Sequence, residues 1–123
     1  MYIKAGERTP EVQINSQLGE ITFSGESYPE NAFNFYKPIM DKLDELCQSK
    51  TPLSLRFELI YINSSSLGML RNMMDAIERH AEQGLSVKVL WQAYEDDDSM
   101  REMGEDFQEL FTAITFKLQI IKD

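Results

Sequence analysis

The sequence predicts an α/β fold: a mainly parallel mixed sheet, opened by an antiparallel hairpin, with helices packed on it. Three observations predict it. Two short alternating segments stand close together within residues 11–24. Beyond them, segments of two-residue apolar period and segments of helical period succeed one another, as parallel strands joined by helical crossovers require. The strand-like run at Leu53–Ile62 is apolar enough for a central position.

The elements follow in order. Glu11-Val-Gln-Ile14 alternates, Asn15-Ser-Gln-Leu-Gly19 is a turn, and Glu20-Ile-Thr-Phe-Ser24 alternates again, with Gly25 expected to end the hairpin. Ser27-Tyr-Pro-Glu30 has the composition of a helix start: a serine that accepts from an amide three residues on, a glutamate that reaches back, and a proline in the first turn. Ala32, Phe35, Tyr36, Ile39, Leu43, Leu46 and Cys47 then mark one helical face. Pro38 interrupts it and predicts a kink or two joined helices. Lys50-Thr-Pro52 is a break, after which Leu53, Leu55, Phe57, Leu59 and Tyr61 alternate through Ile62. A helix carries Leu67, Leu70, Met73, Met74, Ile77 and Ala81, and Gly84 terminates it. Leu85 to Trp91 is a strand with Val87, Val89 and Trp91 on one face. Glu95-Asp-Asp-Asp98 opens a helix at its positive dipole end, with Met100, Met103, Phe107, Leu110 and Phe111 as its apolar stripe. Thr115 to Ile121 is the last strand. No repeat, low-complexity tract or linker divides residues 1–123, so a single domain is expected.

Charge narrows the functions. Asp plus Glu number 21 against 12 Lys plus Arg, a net charge of −9, and the basic residues are scattered. Such a surface repels phosphate backbones and anionic lipid, so nucleic acid and membrane surfaces are poor partners. No window approaches the ~18 apolar residues of a membrane span. The start of the chain has no apolar leader segment, and a cytoplasmic protein is the expectation. The single cysteine, Cys47, offers neither a disulfide framework nor metal-ligand spacing and reads as a small core residue.

The turn Asn63-Ser-Ser-Ser66 is the most informative stretch. A catalytic serine at a strand-to-helix elbow needs flanking glycines, and here the flanks are Asn63, further serines and Leu67. It also needs a base. The one histidine, His80, lies 16 residues on, roughly 24 Å along the same predicted helix. The run Glu95–Asp98 does not follow the calcium-loop pattern, although a small metal-dependent phosphohydrolase using it is the competing enzymatic reading. Neither glycine-rich phosphate-loop pattern occurs, and no cofactor is implied. Two readings of the serines remain. They cap the helix, as their residue types do well, or they accept a phosphate where free amides and the helix dipole tolerate it. Both can hold at once.

Asn63-Ser-Ser-Ser-Leu-Gly68, ahead of an apolar helix, resembles the Asp-Ser-Ser-Gly-Leu-Gly turn of anti-sigma-factor antagonists with the STAS fold, in which the first of the serines is phosphorylated. Matched position by position, Asn63 takes the acidic place and Ser64 the acceptor place. Four blocks resemble a narrower group, the SiaC family of bacterial regulatory phosphoproteins, in the same order along nearly the whole chain. They are Thr9-Pro-Glu-Val12, Gly25-Glu-Ser-Tyr-Pro-Glu-Asn-Ala32, Tyr61-Ile-Asn-Ser-Ser-Ser66, and Tyr94-Glu-Asp-Asp-Asp-Ser-Met100 with Gly104-Glu-Asp-Phe107. Threonine is expected at the acceptor in that family and this chain has Ser64. A basic residue is expected after the serines, where Leu67-Gly68 stands.

The resemblance implies a STAS-like fold and a non-enzymatic switch. A SiaB-like kinase would phosphorylate Ser64, with Ser65 and Ser66 as alternatives, and a SiaA-like PP2C-type phosphatase would reverse it. The unphosphorylated form would bind and stimulate a SiaD-like diguanylate cyclase, in cyclic-di-GMP control of aggregation and biofilm formation. An anti-sigma-factor-antagonist-type switch with another target is the alternative. The partner-facing residues are expected to be Asn63, Ser65, Ser66, Leu67, Gly68 and Met69 at the serine turn, and Glu95, Asp96 and Asp97 beyond the next strand.

Overall fold

The computed structural model describes residues 1–122. Six strands form one sheet in chain order: β1 Tyr2–Ile3, β2 Glu11–Asn15, β3 Glu20–Ser27, β4 Leu53–Ile62, β5 Val87–Tyr94 and β6 Thr115–Ile121. The first three pair antiparallel, and β3 to β6 pair parallel. The crossovers carry α1 Ala32–Gln48, α2 Ser64–Glu82 and α3 Asp98–Leu110. A parallel sheet ordered 3-4-5-6 with right-handed crossovers places every helix on one face. Burial agrees. Leu53, Leu55, Phe57 and Leu59 of β4 are buried, while Ser54 and Arg56 between them are exposed. The helices cover one face of the sheet and leave the other open.

The α/β order matches the expectation, with four corrections. The short edge strand β1 carries too few residues to show a period. Gly25 does not end the hairpin's second strand, because β3 runs on to Ser27 beside β4. Gly25 takes φ 102°, a conformation that suits glycine, at a bulge where β4 holds one extra residue, Ile60, between Leu59 and Tyr61. Ser27 is therefore a strand end and not a cap. Helix α1 begins later, at Ala32, and Asn31 caps it by accepting from the Asn34 amide at 3.0 Å. Finally, α1 continues as one helix through Pro38. The carbonyl that Pro38 leaves without a helical donor belongs to Asn34, and both residues are exposed, where a helix tolerates the missing bond best.

The core centres on Trp91. Its ring lies 5.2 Å from that of Phe57, 5.4 Å from Phe107 and 6.5 Å from Phe116, and its Nε1 donates to the Met100 carbonyl at 2.9 Å. Helix α3 reaches this close because Gly104 faces the sheet. A Cβ there would lie 2.6 Å from Trp91 Cδ1 and 2.9 Å from Leu118 Cδ1. Trp91 is fully buried and hydrogen-bonded, so it cannot move aside. Gly104→Ala is expected to lower stability by about 1–3 kcal/mol, as overpacking does. Denaturant unfolding would check this; an unchanged midpoint would mean that α3 lifts off the sheet without strain.

Candidate functional site at the carboxyl end of the sheet

Two sequence-selected segments meet at one end of the molecule. The serine turn leaves β4 and the acidic run leaves β5, and these strands are parallel, so both segments lie at the carboxyl end of the sheet. That is where open α/β sheets place their functional loops.

Asn63 caps α2. Its side chain accepts from the Ser66 amide at 2.9 Å, its carbonyl accepts from the Leu67 amide at 2.9 Å, and its own amide donates to the Ser27 carbonyl at 3.0 Å. The helix thus begins at Ser64, three residues earlier than the apolar stripe alone indicates. Ser64 and Ser65 are exposed in its first turn, and their amides have no acceptor among the described residues. These are the free donors that a helix start offers to an anion.

Ser66 differs from its two neighbours. It is fully buried, and its hydroxyl accepts from Ser27 Oγ at 2.9 Å. Ser27 is equally buried and pairs with the Tyr36 hydroxyl at 2.6 Å. The expectation that Ser66 is an alternative acceptor or a partner contact is therefore corrected. Neither a kinase nor a partner reaches that oxygen while the turn is closed. The three hydroxyls join the end of β3, the second turn of α1 and the first turn of α2, and so fix the turn that presents Ser64. The sequence gives one signal for this. Tyr36 falls within an apolar stripe, and a buried tyrosine hydroxyl requires a partner.

Burial pushes the Tyr36 hydroxyl above the ordinary value of 10.0, and the two serine hydroxyls oppose this less strongly. The folded chain then keeps its proton at a pH where the unfolded chain releases it. Stability is unaffected below about pH 10 and falls as pH rises beyond it. Tyr36→Phe is expected to cost about 1–2 kcal/mol at neutral pH by breaking the network. It also removes Tyr36's share of the alkaline loss. Unfolding curves at neutral and alkaline pH test both signs; a variant as stable as the parent at pH 7 would show that the network is neutral.

At the turn, Leu67 and Met69 are half-buried and Gly68 is exposed. Beyond β5, Glu95 and Asp96 are exposed in a turn, and Asp97 caps α3 by accepting from the Met100 amide at 3.1 Å. The acidic run thus precedes the helix more than it opens it, since α3 starts at Asp98. Arg101 ties the loop down, donating to the Glu95 carbonyl at 3.1 Å and to Asp98 Oδ1 at 2.8 Å. Among the described residues no three His, Cys, Asp or Glu groups converge to hold a metal ion. His80 lies near the far end of α2, where it lines a groove with Cys47. No helix among the described residues is long and apolar enough to cross a membrane.

The family model of the SiaC family of regulatory phosphoproteins matches residues 3–121. An uncharacterised protein of Pseudomonas aeruginosa strain UCBPP-PA14 is 28% identical over 110 residues, covering 89% of this chain and 87% of that one. The crystal structure of apo-SiaC from Pseudomonas aeruginosa superposes with a TM-score of 0.85 at 27% identity, covering 98% of this chain and 96% of that chain. The structure of the diguanylate cyclase SiaD in complex with its activator SiaC, also from Pseudomonas aeruginosa, matches with a TM-score of 0.87 at 26% identity, covering 100% of this chain and 99% of that chain. With its sheet and nearly all of its length matched by that family, the chain belongs to the SiaC family of regulatory phosphoproteins.

Proposed function

We propose that this chain is a non-enzymatic partner switch of the cytoplasm. In this reading its unphosphorylated form binds and activates a diguanylate cyclase, and phosphorylation of Ser64 ends the contact. A SiaB-like kinase adds the phosphate and a SiaA-like PP2C-type phosphatase removes it. The observation that carries the reading is the asymmetry of the serine turn: Ser64 stands exposed at the head of α2 beside free amides, and Ser66 is locked inside. Family membership supports the phosphate, and the complex of SiaD with its activator SiaC supports the cyclase. Ser65 is exposed as well, and Ser64 is preferred because it occupies the acceptor position of the resembling turns.

Magnitudes explain how one phosphate could act. It adds roughly −1.5 to −2 charge. Basic residues at the rim of a docked partner would recover about 0–1 kcal/mol through an exposed ion pair. Covering the phosphate would cost several kcal/mol of desolvation. Desolvation wins, so a partner that covers Ser64 is expelled even if its rim is basic. The test is intact-mass measurement after incubation with the kinase, followed by a binding assay with the cyclase. A gain of one phosphate together with loss of cyclase binding is expected; a phosphorylated chain that binds as tightly as the unmodified one would refute the switch.

A further inference from the structure

The two edges of the sheet are built differently. β1 closes one edge with two residues, too short to seat a further strand. β6 leaves the other edge open over seven residues, with no proline, no bulge and a single charge, Lys117. The Ile121 carbonyl accepts from the Glu95 amide just beyond β5, so the backbone polar groups of Ile121 face inward. These groups alternate in direction along a strand. Those of Lys117 and Gln119 therefore also face β5, and those of Phe116, Leu118 and Ile120 face out. Gln108 of α3 covers one of them, donating from Nε2 to the Phe116 carbonyl at 3.2 Å. Leu118 and Ile120 have no ladder partner on that side among the described residues, and the Ile120 side chain is 41% exposed.

Charge is also divided across the sheet. β2, β3 and β4 carry Glu11, Glu20, Glu26 and Glu58 against one cation, Arg56, which Glu58 engages. β5 and β6 carry no Asp or Glu, although the chain has 21 of them, and hold Lys88 and Lys117. Lys122 follows. All three lysines are exposed and make no ion pair among the described residues. Lys117 lies beside Leu90 in register and Lys88 beside Thr115, so both lysines stand on the open face near the free edge. Leu118 lies beside the buried Trp91, so Phe116, Leu118 and Ile120 belong to the helix-covered face. The edge is thus cationic on one side and apolar on the other. Two copies paired edge to edge would set lysines near lysines, whereas an acidic strand complements them.

We propose that the free edge of β6 takes up an extended acidic segment of a partner protein as a seventh strand. The backbone groups of Leu118 and Ile120 supply the new ladder, and Gln108 swings off the Phe116 carbonyl to extend it. The segment alternates. Its apolar side chains fall beside Phe116, Leu118 and Ile120, and its carboxylates fall on the open face. There they lie one strand spacing, about 5 Å, from β6 and two from β5, within reach of Lys117 and Lys88. β5 separates this edge from β4, the strand that leads into the serine turn, so the site is distinct from that turn and stands without the cyclase reading.

The probe is a capped seven-residue peptide in which glutamate and valine alternate, titrated into the isotope-labelled full chain and followed by amide NMR shifts. Saturable shifts are expected at the Leu118 and Ile120 amides, with none at the serine turn. The same peptide with lysine in place of glutamate is expected to bind at least about fivefold more weakly, and Lys117→Glu to weaken the acidic peptide by about as much. Ile120→Pro removes an outward N–H while leaving the pairing with β5 in place, and is expected to abolish binding. The spectrum of each variant reports its folding, and Lys117→Glu, an exposed change, carries the test if the proline variant unfolds. Edge amides that do not shift with the acidic peptide overturn the proposal. So does a lysine peptide that binds within twofold of the acidic one. Shifts of the same amides with chain concentration alone, lost in Ile120→Pro, assign the edge to a second copy and likewise overturn it.

Discussion

Ser64→Ala is expected to leave the chain unphosphorylated by its kinase and to keep the cyclase engaged whether or not the kinase is present. Ser65→Ala is expected to gain phosphate as the parent does. The contrast follows from the turn. Asn63 caps α2 through its side chain, so removing the Ser64 hydroxyl deletes neither a cap nor a buried bond. The folding cost should be within about 0.5 kcal/mol, as for an ordinary surface change. Ser66→Ala cuts into the buried hydroxyl network instead and should be read first as a stability variant. Intact mass with kinase and ATP separates the three. Phosphate retained in Ser64→Ala and lost in Ser65→Ala would move the acceptor by one residue.

The largest loss of stability is expected from Trp91→Ala. Three rings meet around this side chain, and a truncated aromatic in a core costs about 3–5 kcal/mol. The bond to the Met100 carbonyl goes with it. Against a domain stability of about 5–15 kcal/mol this is a large share. The effect reaches the site because Met100 sits in the first turn of α3, where its amide donates to Asp97 at the end of the acidic loop. Calorimetric melting would check it, and a variant melting within a few degrees of the parent would mean that the neighbouring rings collapse into the gap.

The alternation of Leu53–Ile62 and the stripe from Leu67 to Ala81 locate β4 and α2, since both are long and half-buried and their periods are clean. The start of α1 was not legible in this way. Ser27-Tyr-Pro-Glu30 has the composition of a cap, yet tertiary pairing of β3 with β4 draws Ser27 into the sheet, and Asn31 takes over the cap. Local chemistry proposes and the strand ladder decides. At the site, the serine turn was visible because a polar triplet between two apolar periods has few structural explanations. The inequality among its serines was not, because burial of Ser66 depends on Ser27 and Tyr36, 39 and 30 residues away in the chain. The bulge in β4 was also hidden. Ile60 and Tyr61 continue a run of strand-forming residues, and the bulge that turns both outward is a relation between two strands.

The central claim is that one phosphate on Ser64 decides whether the chain activates its cyclase. The most direct measurement is the rate of cyclic-di-GMP synthesis by the cognate diguanylate cyclase, with the parent chain added before and after stoichiometric phosphorylation. The expected result is stimulation by the unmodified chain, none by the phosphorylated chain, and stimulation by kinase-treated Ser64→Ala. Equal stimulation by the modified and unmodified parent chain would contradict the account.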